Sequence, residues 1–282
     1  LINLTKTRER LKDLPFSKPK YKEVAPEAID LSDAEQTMAA KLDGGHVTYD
    51  LKKGRRPRTY SYREPKERKT GVIEHSHKVM GLYHSKVPAE IDTRGTILRG
   101  ELYARTKDGK KPLAAETVGG MLNAGVHKSR ELQAEKGKLR PAIFDVVKFR
   151  GKDMTNAIYD EKLEALRQVK KHMPEFEIPS MAFTREEKKE LLEEIRSKRH
   201  PETHEGVILW GRNKPTRPIK AKFKSDHDVY IRKITPAIGK DGKAKKEAGA
   251  LWYSRTPDGP LVGKVGTGFS RALRQDMWQR RE

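Results

Sequence analysis

Short strand-like segments, each followed by a tight turn, dominate the sequence between residues 36 and 101. MAAKLDGGHVTYDL places a turn at Asp43–Gly45 between apolar and β-branched flanks, and TRGTILRGELYAR places one at Arg94–Gly95 before a strand. Turns this short join antiparallel neighbours, because a parallel crossover needs a long connection. The sequence therefore predicts an α+β fold built on antiparallel sheets.

Helical periodicity appears only later in the chain. AAETVGGMLNAGVHKSRELQAEK predicts a helix with a Gly–Gly interruption, and YDEKLEALRQVKKHM has Leu163, Leu166 and Val169 at helical spacing. TREEKKELLEEIRSKRHP predicts a helix capped by Thr184. Two buried strands, RPAIFDVVKF and HEGVILW, lie among these helices.

The tail returns to strands and turns. DVYIRKI, GALWYS and LVGKVGT predict strands, KDGKAKKEAG and TPDG predict hairpin loops, and SRALRQDMWQRR predicts a short helix. Small strands with basic loops suit an OB-like β-barrel, although the tail is one or two strands short of a complete one. We therefore expect a domain over residues 1–225 and a small OB-like domain over residues 226–282.

The charge of the chain calls for an anionic partner. Its 61 Lys and Arg residues face 40 Asp and Glu residues, a net charge of +21, of which residues 210–282 carry +11. Nucleic acid is the favoured partner, because neutralising phosphates releases counterions. An anionic membrane surface is the weaker alternative, since no basic amphipathic helix has a large apolar face, and a thermophile-like surface rich in Lys and Glu is another.

Several classes of protein are excluded or disfavoured. No apolar run reaches the roughly 18–20 residues of a membrane span. The chain has no cysteine, which excludes disulfides, thiolate zinc sites and a cysteine nucleophile. The first residues are too charged for a secretory signal, so we expect an intracellular protein.

Lys41-Leu-Asp43-Gly44 is the most informative segment. A lysine at the end of an apolar strand can be sheltered, and desolvation or nearby cations can make its amine nucleophilic. The simpler explanation is an Asp–Gly hairpin with an incidental lysine. Further candidates for chemistry follow along the chain: Arg63, Glu101, Phe144, Asp145, Glu205, Lys220 and Lys222. Taken singly, each has a structural explanation, as a paired acid, a core aromatic or a solvated lysine.

The order and spacing of these segments are more specific than any one of them. The chain closely resembles the ATP-dependent DNA ligases, within the covalent nucleotidyltransferase superfamily, over roughly residues 36–224. The motifs that carry the resemblance are KLDG at 41–44, SYR at 61–63, LRGEL at 98–102, AIFDVV at 142–147, EGVIL at 205–209 and IKAKF at 219–223. LVGKVGTGFSRALRQDMW in the tail resembles the OB domain of that family. The resemblance implies an adenylation domain followed by this OB domain.

The resemblance also implies residue roles. Lys41 would be catalytic and carry AMP from ATP, Phe144 would stack on adenine, and Mg²⁺ or Mn²⁺ would be the metal. The implied cofactor-binding residues are Ala40, Lys41, Leu42, His46, Arg63, Glu101, Phe144, Lys220 and Lys222. The implied metal ligands are Glu101 and Glu205. The implied DNA-binding residues are Arg63, Lys224, Arg232, Lys243, Lys245 and Lys246.

The activity implied by the resemblance has three steps. Lysine takes AMP from ATP, passes it to a DNA 5′-phosphate, and a 3′-hydroxyl then displaces AMP. The expected partner is nicked duplex DNA, bound by a monomer in DNA repair, replication or recombination. Two alternatives within the superfamily are an RNA ligase and an RNA capping guanylyltransferase. A third alternative is a non-catalytic nucleic-acid-binding relative.

Three departures from the family pattern motivate the non-catalytic alternative. His46 stands where K-x-D-G-x-R has arginine, and Ala39 stands where many ligases have a carboxylate that reads adenine. No convincing C-terminal R-x-D-K, which orients pyrophosphate, is found. An NAD-dependent ligase is disfavoured, because the chain lacks zinc-binding cysteines and has little sequence before Lys41.

Overall fold

The chain forms two compact units, Leu1–Phe223 and Lys224–Glu282. This division lies two residues before the domain boundary expected from the sequence. The computed structural model describes residues 18–62, 71–223, 228–239, 241–266 and 268–281.

Two largely antiparallel sheets form the frame of the first unit. Their strands are β1 (Lys22–Val24), β2 (Gln36–Ala40), β3 (Gly45–Leu51), β4 (Arg58–Tyr62), β5 (Val72–Glu74), β6 (Thr96–Ala104), β7 (Leu139–Phe149), β8 (Lys152–Asp153), β9 (Met181–Ala182), β10 (Gly206–Gly211) and β11 (Ile219–Lys222). The five-stranded sheet has the order β1-β11-β10-β2-β9, and the six-stranded sheet has the order β5-β4-β3-β6-β7-β8. Strands β1 and β11 pair in parallel, whereas the others pair antiparallel. The prediction of an α+β fold with antiparallel sheets is confirmed.

The described helices of the first unit are α1 (Ala115–Asn123), α2 (Val126–Lys136), α3 (Tyr159–His172) and α4 (Arg185–Arg196). Short 3₁₀ turns occupy Pro26–Ala28 and Met80–Leu82. Thr184 caps α4 in a capping box with Glu187, which satisfies two backbone donors at the helix start.

The prediction that Gly119–Gly120 interrupts the helix is wrong. Both glycines lie inside α1, where the neighbouring side chains Val118 and Met121 are fully buried. The break comes instead at Ala124 and Gly125, because the backbone of Ala124 is extended and Gly125 is the cap before α2. Burial of the apolar face of α1 therefore outweighs the low helix propensity of its two glycines.

Alternation along the strands directs one face of each sheet into an apolar core. Val47, Tyr49 and Leu51 of β3 are fully buried in the core beneath the six-stranded sheet. Helix α3 contributes Leu166 to this core and Leu163 to a second cluster with Ile208 and Trp210 of the other sheet. The helix thereby links the two sheets.

The second unit is a small antiparallel sheet with a helix against it. Its described elements are β12 (Tyr230–Ile238), β13 (Ala244–Ser254), β14 (Gly263–Val265) and α5 (Arg271–Gln279), with the strands in the order β12-β13-β14. The described residues form three strands here rather than a closed barrel, so the OB-like barrel remains a prediction.

The contacts of Arg274 and Ser270 hold α5 in place. Arg274 donates from α5 to the carbonyls of Ala248 and Gly266, and the Ser270 hydroxyl caps the helix. Across the described parts of both units, no helix combines the length and the apolar character that would let it cross a membrane.

The hairpin loop expected over KDGKAKKEAG is shorter than predicted. Strand β13 begins at Ala244, and the turn is closed by a hydrogen bond from the N–H of Gly239 to the carbonyl of Lys243. Lys245 and Lys246 therefore lie on the strand, because the β12–β13 pairing continues past the apolar residues that predicted it.

Candidate active site

A cavity in the first unit collects residues from both sheets. Its lining residues are Lys18, Tyr21, Ala39, Ala40, Lys41, Leu42, His46, Glu101, Phe144, Pro179, Ile208, Trp210, Lys220 and Lys222. They include all of the expected cofactor-binding residues that the structure describes. The exception, Arg63, lies outside the described residues.

Lys41 enters the cavity at the end of β2. Its backbone N–H donates to the carbonyl of Gly206 at 2.9 Å, which extends the β2–β10 pairing to the lysine itself. Its side chain is 17% exposed, and the ammonium is ion-paired with the carboxylate of Glu205. A strand end that is tied to its neighbour in this way holds the lysine amine at a defined place in a partly desolvated site.

Glu205 lies between two lysines. One carboxylate oxygen accepts from Lys41, and the other is 2.6 Å from the ammonium of Lys222 on β11. Lys220 directly precedes the buried Ala221 on the same strand, and its ammonium pairs with the carboxylate of Glu23 at 3.1 Å. Lys220 and Lys222 both line the cavity, as expected of alternate residues on a strand.

Two motif glycines allow backbones to approach each other beside this site. A side chain at Gly44 would place its Cβ 2.2 Å from the carbonyl oxygen of Leu102, and one at Gly206 would place it 2.1 Å from that of Ala221. These contacts are too close for any Cβ, so glycine is required where β3 meets β6 and where β10 meets β11. Gly44 lies three residues after Lys41, and Gly206 directly follows Glu205. The close approaches that the two glycines allow therefore help to position Lys41 and Glu205.

The Asp43 carboxyl group lies in the turn after Lys41. Burial, and then the charge of Glu205, raises the pKa of Asp43. The positive charge of Lys41 and the backbone N–H of Ala115, the first residue of α1, act in the opposite direction.

Glu101 and His46 face each other across β3 and β6. Burial is the main cause that raises the pKa of Glu101 to about 7, and its carboxylate accepts from the N–H of Gly44 at 3.0 Å. Burial, and then the charges of Lys18 and Arg99, lowers the pKa of His46 to about 3. Nε2 of His46 is buried and has no hydrogen-bond partner among the described residues. His46 is therefore neutral near pH 7.

Aromatic rings form one wall of the cavity. Trp210 stacks on Tyr159 with ring centroids 4.5 Å apart, while Tyr21 meets it edge-on at 6.5 Å and Phe144 lies 6.2 Å away. Such a wall suits a flat heteroaromatic ring, which stacks on apolar surface. At the position that carries a carboxylate in many ligases, Ala39 presents only a methyl group to the cavity.

Sequence reasoning missed five of the lining residues: Lys18, Tyr21, Pro179, Ile208 and Trp210. Trp210 could have been found, because Ile208 and Trp210 alternate on β10 and so point to the same face. Tyr21 reaches the site because β1, in a polar approach segment, pairs with β11 almost two hundred residues later. No local pattern around Tyr21 predicts that pairing.

The carboxylates of Glu101 and Glu205 are compatible with a divalent cation. Each lies in the electrostatic field of the other, since the charge of Glu205 helps to raise the pKa of Glu101. No group of three or more potential ligands occurs in the part of the chain that the structure describes. Mg²⁺ does not need one, because it is commonly held by one or two carboxylates together with substrate phosphates.

The residues expected to bind DNA lie mainly in the second unit. Arg232 is exposed on β12 and lies 3.5 Å from Asp258, and Lys243, Lys245 and Lys246 are also exposed. Lys245 and Lys246 are successive residues of β13, at a place where its register against β12 is irregular. Lys224 lies outside the described residues.

Comparison with known proteins identifies the family. The family described as "ATP dependent DNA ligase domain" matches residues 18–222. The chain therefore belongs to the ATP-dependent DNA ligase family. No curated protein matches the chain in sequence.

Solved structures share the fold. A Lig E DNA ligase, the subject of a study of DNA binding with a minimal scaffold, aligns with a TM-score of 0.54 and 20% identity, over 92% of this chain and 88% of that one. A structure described as Pmar-Lig_PreS3 aligns with a TM-score of 0.52 and 15% identity, over 99% of this chain and 63% of that one. The present chain thus spans less than two thirds of the second protein.

Proposed function

We propose that this protein is an ATP-dependent DNA ligase that seals nicks between a 5′-phosphate and a 3′-hydroxyl in duplex DNA. The observation that carries the proposal is the contact between Lys41 and Glu205, in a cavity that also presents Lys220, Lys222 and an aromatic wall. This combination provides a nucleophile, charge neutralisation and a surface for a base.

In the first step, the Lys41 amine attacks the α-phosphorus of ATP. A P–N bond forms, the bond between the α- and β-phosphates breaks, and pyrophosphate leaves with the electron pair. Lys41 must first lose a proton, and the Glu205 carboxylate is in contact with its ammonium and can accept it. Lys220 and Lys222 offset the negative charge that builds on the phosphate oxygens.

AMP then moves to the DNA. An oxygen of the nick 5′-phosphate attacks the phosphorus of the lysyl-AMP, the P–N bond breaks and Lys41 recovers its amine. In the last step the 3′-hydroxyl attacks the 5′-phosphate of the DNA-adenylate, which forms the phosphodiester and releases AMP. Arg63 is proposed to contact the nucleotide or the nick, and the basic residues of the second unit to bind the duplex.

Glu101 and Glu205 are the residues that would hold Mg²⁺ or Mn²⁺. When bound, the metal supplies positive charge next to the phosphates. The Glu205 carboxylate also pairs with Lys41 and Lys222.

Adenine is proposed to bind against Phe144 and Trp210. Stacking does not distinguish adenine from guanine, and Ala39 offers no side-chain hydrogen-bond partner. Selection of ATP therefore falls to backbone groups of the cavity and to the few polar side chains that line it.

Intact mass after incubation with ATP and Mg²⁺ tests the proposal. We expect one added AMP in the wild type and in Lys128→Ala, whose lysine is an exposed partner of Glu131 on α2, and none in Lys41→Ala. The adduct should then seal a nicked DNA duplex. An adduct formed only with GTP would indicate a capping enzyme, and sealing only of RNA an RNA ligase. DNA binding with neither an adduct nor sealing of a pre-adenylated nick would overturn the proposal.

A further inference from the structure

We propose that Thr203 is a positioning residue for the first step of the reaction. Its hydroxyl joins the backbone of Lys41 to the backbone of Glu205 and thereby aligns the lysine amine with its carboxylate partner. The inference rests on the proposed function of Lys41 as the nucleophile. Thr203 lies two residues before Glu205, in the segment between α4 and β10.

The hydroxyl of Thr203 both donates and accepts a hydrogen bond. It donates to the carbonyl oxygen of Lys41 at 2.5 Å and accepts from the N–H of Glu205 at 3.0 Å. Thr203 is completely buried, so water does not replace either contact. One side-chain oxygen therefore connects two segments that are 162 residues apart in sequence.

Glu205 lies just outside the regular strand pairing, although its carbonyl oxygen still accepts from the N–H of Phe223 at 2.9 Å. The β10–β11 ladder begins at Gly206, and the backbone N–H of Lys41 is held by the carbonyl of that glycine. The carbonyl of Lys41 and the N–H of Glu205 are held by Thr203 instead. Thr203 thus joins the end of β2 to the start of β10, at the two residues whose side chains meet.

Glu202 holds the same segment from its other side. Its carboxylate accepts from the N–H of Ser180 at 2.8 Å and from Arg105 at 3.2 Å. The segment cannot swing as a whole when the Thr203 hydroxyl is removed, because these contacts remain. The expected consequence is a local misalignment of Lys41 and Glu205.

A small misalignment matters for the step in which the Lys41 amine attacks. A displacement of about 1 Å can slow a reaction about 100-fold when the reacting atoms must meet in one geometry. Sealing of a pre-adenylated nick does not use the Lys41 amine as a nucleophile. Loss of the Thr203 hydroxyl should therefore slow adduct formation much more than sealing.

The test compares Thr203→Val, which replaces the hydroxyl by a methyl group of similar size, with Thr203→Ser, which keeps it. Thr37→Val is the matched control, because Thr37 is also completely buried and its hydroxyl donates to a backbone carbonyl, that of Ala182, at 2.8 Å in the same sheet. Three quantities are measured: the single-turnover rate of AMP-adduct formation at saturating ATP, the ATP concentration at half saturation, and the rate of sealing of a pre-adenylated nick.

We expect Thr203→Val to slow adduct formation about 30- to 100-fold, with half-saturation and sealing changed by less than about 3-fold. Thr203→Ser should restore adduct formation to within about 5-fold of the wild type, and Thr37→Val should leave it within about 2-fold. Adduct formation by Thr203→Val at the wild-type rate would overturn the inference, as would an equal loss of all three activities in a folded variant.

Thr203→Cys covers the case in which Thr203→Val does not fold. A thiol is a weak hydrogen-bond donor and acceptor, so a folded Thr203→Cys protein should also form the adduct slowly but seal normally. A wild-type rate of adduct formation in this variant would equally overturn the inference. Failure of the wild type itself to form an adduct would contradict the proposed function instead, so the two failures are distinguishable.

Discussion

His46 and Glu101 lie opposite each other on β3 and β6, and burial moves their pKa values in opposite directions, to about 3 and about 7 respectively. In water, an imidazole and a carboxyl group would both be charged near pH 5.5. In the folded protein both are neutral at that pH. The departure from arginine at His46 therefore leaves an uncharged group beside the cavity.

The lowered pKa of His46 predicts a loss of stability in acid. As the pH falls below 6.5 the unfolded chain takes up a proton at this residue and the native protein does not, so stability is lost progressively toward pH 3. We expect His46→Gln to lack this loss. Its free energy of unfolding relative to the wild type should rise by about 1–2 kcal/mol between pH 7 and pH 5. Urea unfolding at both pH values measures it, and His127→Gln, at an exposed position, should run parallel to the wild type.

The raised pKa of Glu101 predicts the opposite trend. Its contribution to stability is fully present below the unfolded value near 4.5 and is lost as the pH rises through about 7, because the native carboxyl holds its proton longer. Glu101→Gln should therefore become more stable relative to the wild type by about 3 kcal/mol between pH 4.5 and pH 8. Urea unfolding without metal or nucleotide tests this, and pH-independent differences between the two proteins would contradict it.

The close approach at Gly44 predicts contrasting effects of alanine at two glycines. Gly44→Ala would force a Cβ against the carbonyl of Leu102 and should destabilise the protein by about 3 kcal/mol or more. Gly120→Ala, at an exposed position in α1 with open space around it, should stabilise the protein by about 0.5–1 kcal/mol. In thermal unfolding, the Tm of Gly44→Ala should fall and that of Gly120→Ala should rise. A shift of both Tm values in the same direction would contradict the reason given for the glycine at Gly44.

Asp145 is expected to be structural rather than catalytic. It is almost fully buried and pairs with Arg99 and Lys162, each at 2.9 Å. Asp145→Asn would leave two poorly compensated cations and should lower the free energy of unfolding by about 3 kcal/mol. Asp258→Asn, at a residue whose side chain is 98% exposed, should change it by less than about 0.5 kcal/mol. Equal effects of the two substitutions in urea unfolding would show that the Asp145 pairs contribute little.

The sequence predicted well those features that depend on local patterns. The turn after Lys41, the strands around it and the helix with Leu163 and Leu166 follow from turn residues and from periods of two and 3.6. The described cofactor-binding candidates line one cavity because each lies on a strand of the first unit or at its end, and the two sheets bring those strands together.

Features that depend on distant partners could not be predicted. Nothing near Tyr21 indicates that it reaches Trp210, and nothing near Thr203 indicates that its hydroxyl meets Lys41. The predicted helix break at Gly119–Gly120 was wrong for the same reason, since burial of Val118 and Met121 keeps that helix continuous. In each case a contact made by the folded chain decides the outcome.

The basic residues of β13 provide a last prediction about nucleic-acid binding. Lys245 and Lys246 are exposed neighbours on the strand. Exposed cations of this kind can contact phosphates without reading base sequence.

Each phosphate contact contributes about 0.9 to the slope of log affinity against log salt concentration. We expect Lys245→Gln and Lys246→Gln each to lower the slope for a nicked duplex by about 1. Fluorescence anisotropy between about 50 and 200 mM NaCl measures both slopes. No reduction in either variant would remove this strand from the proposed interface.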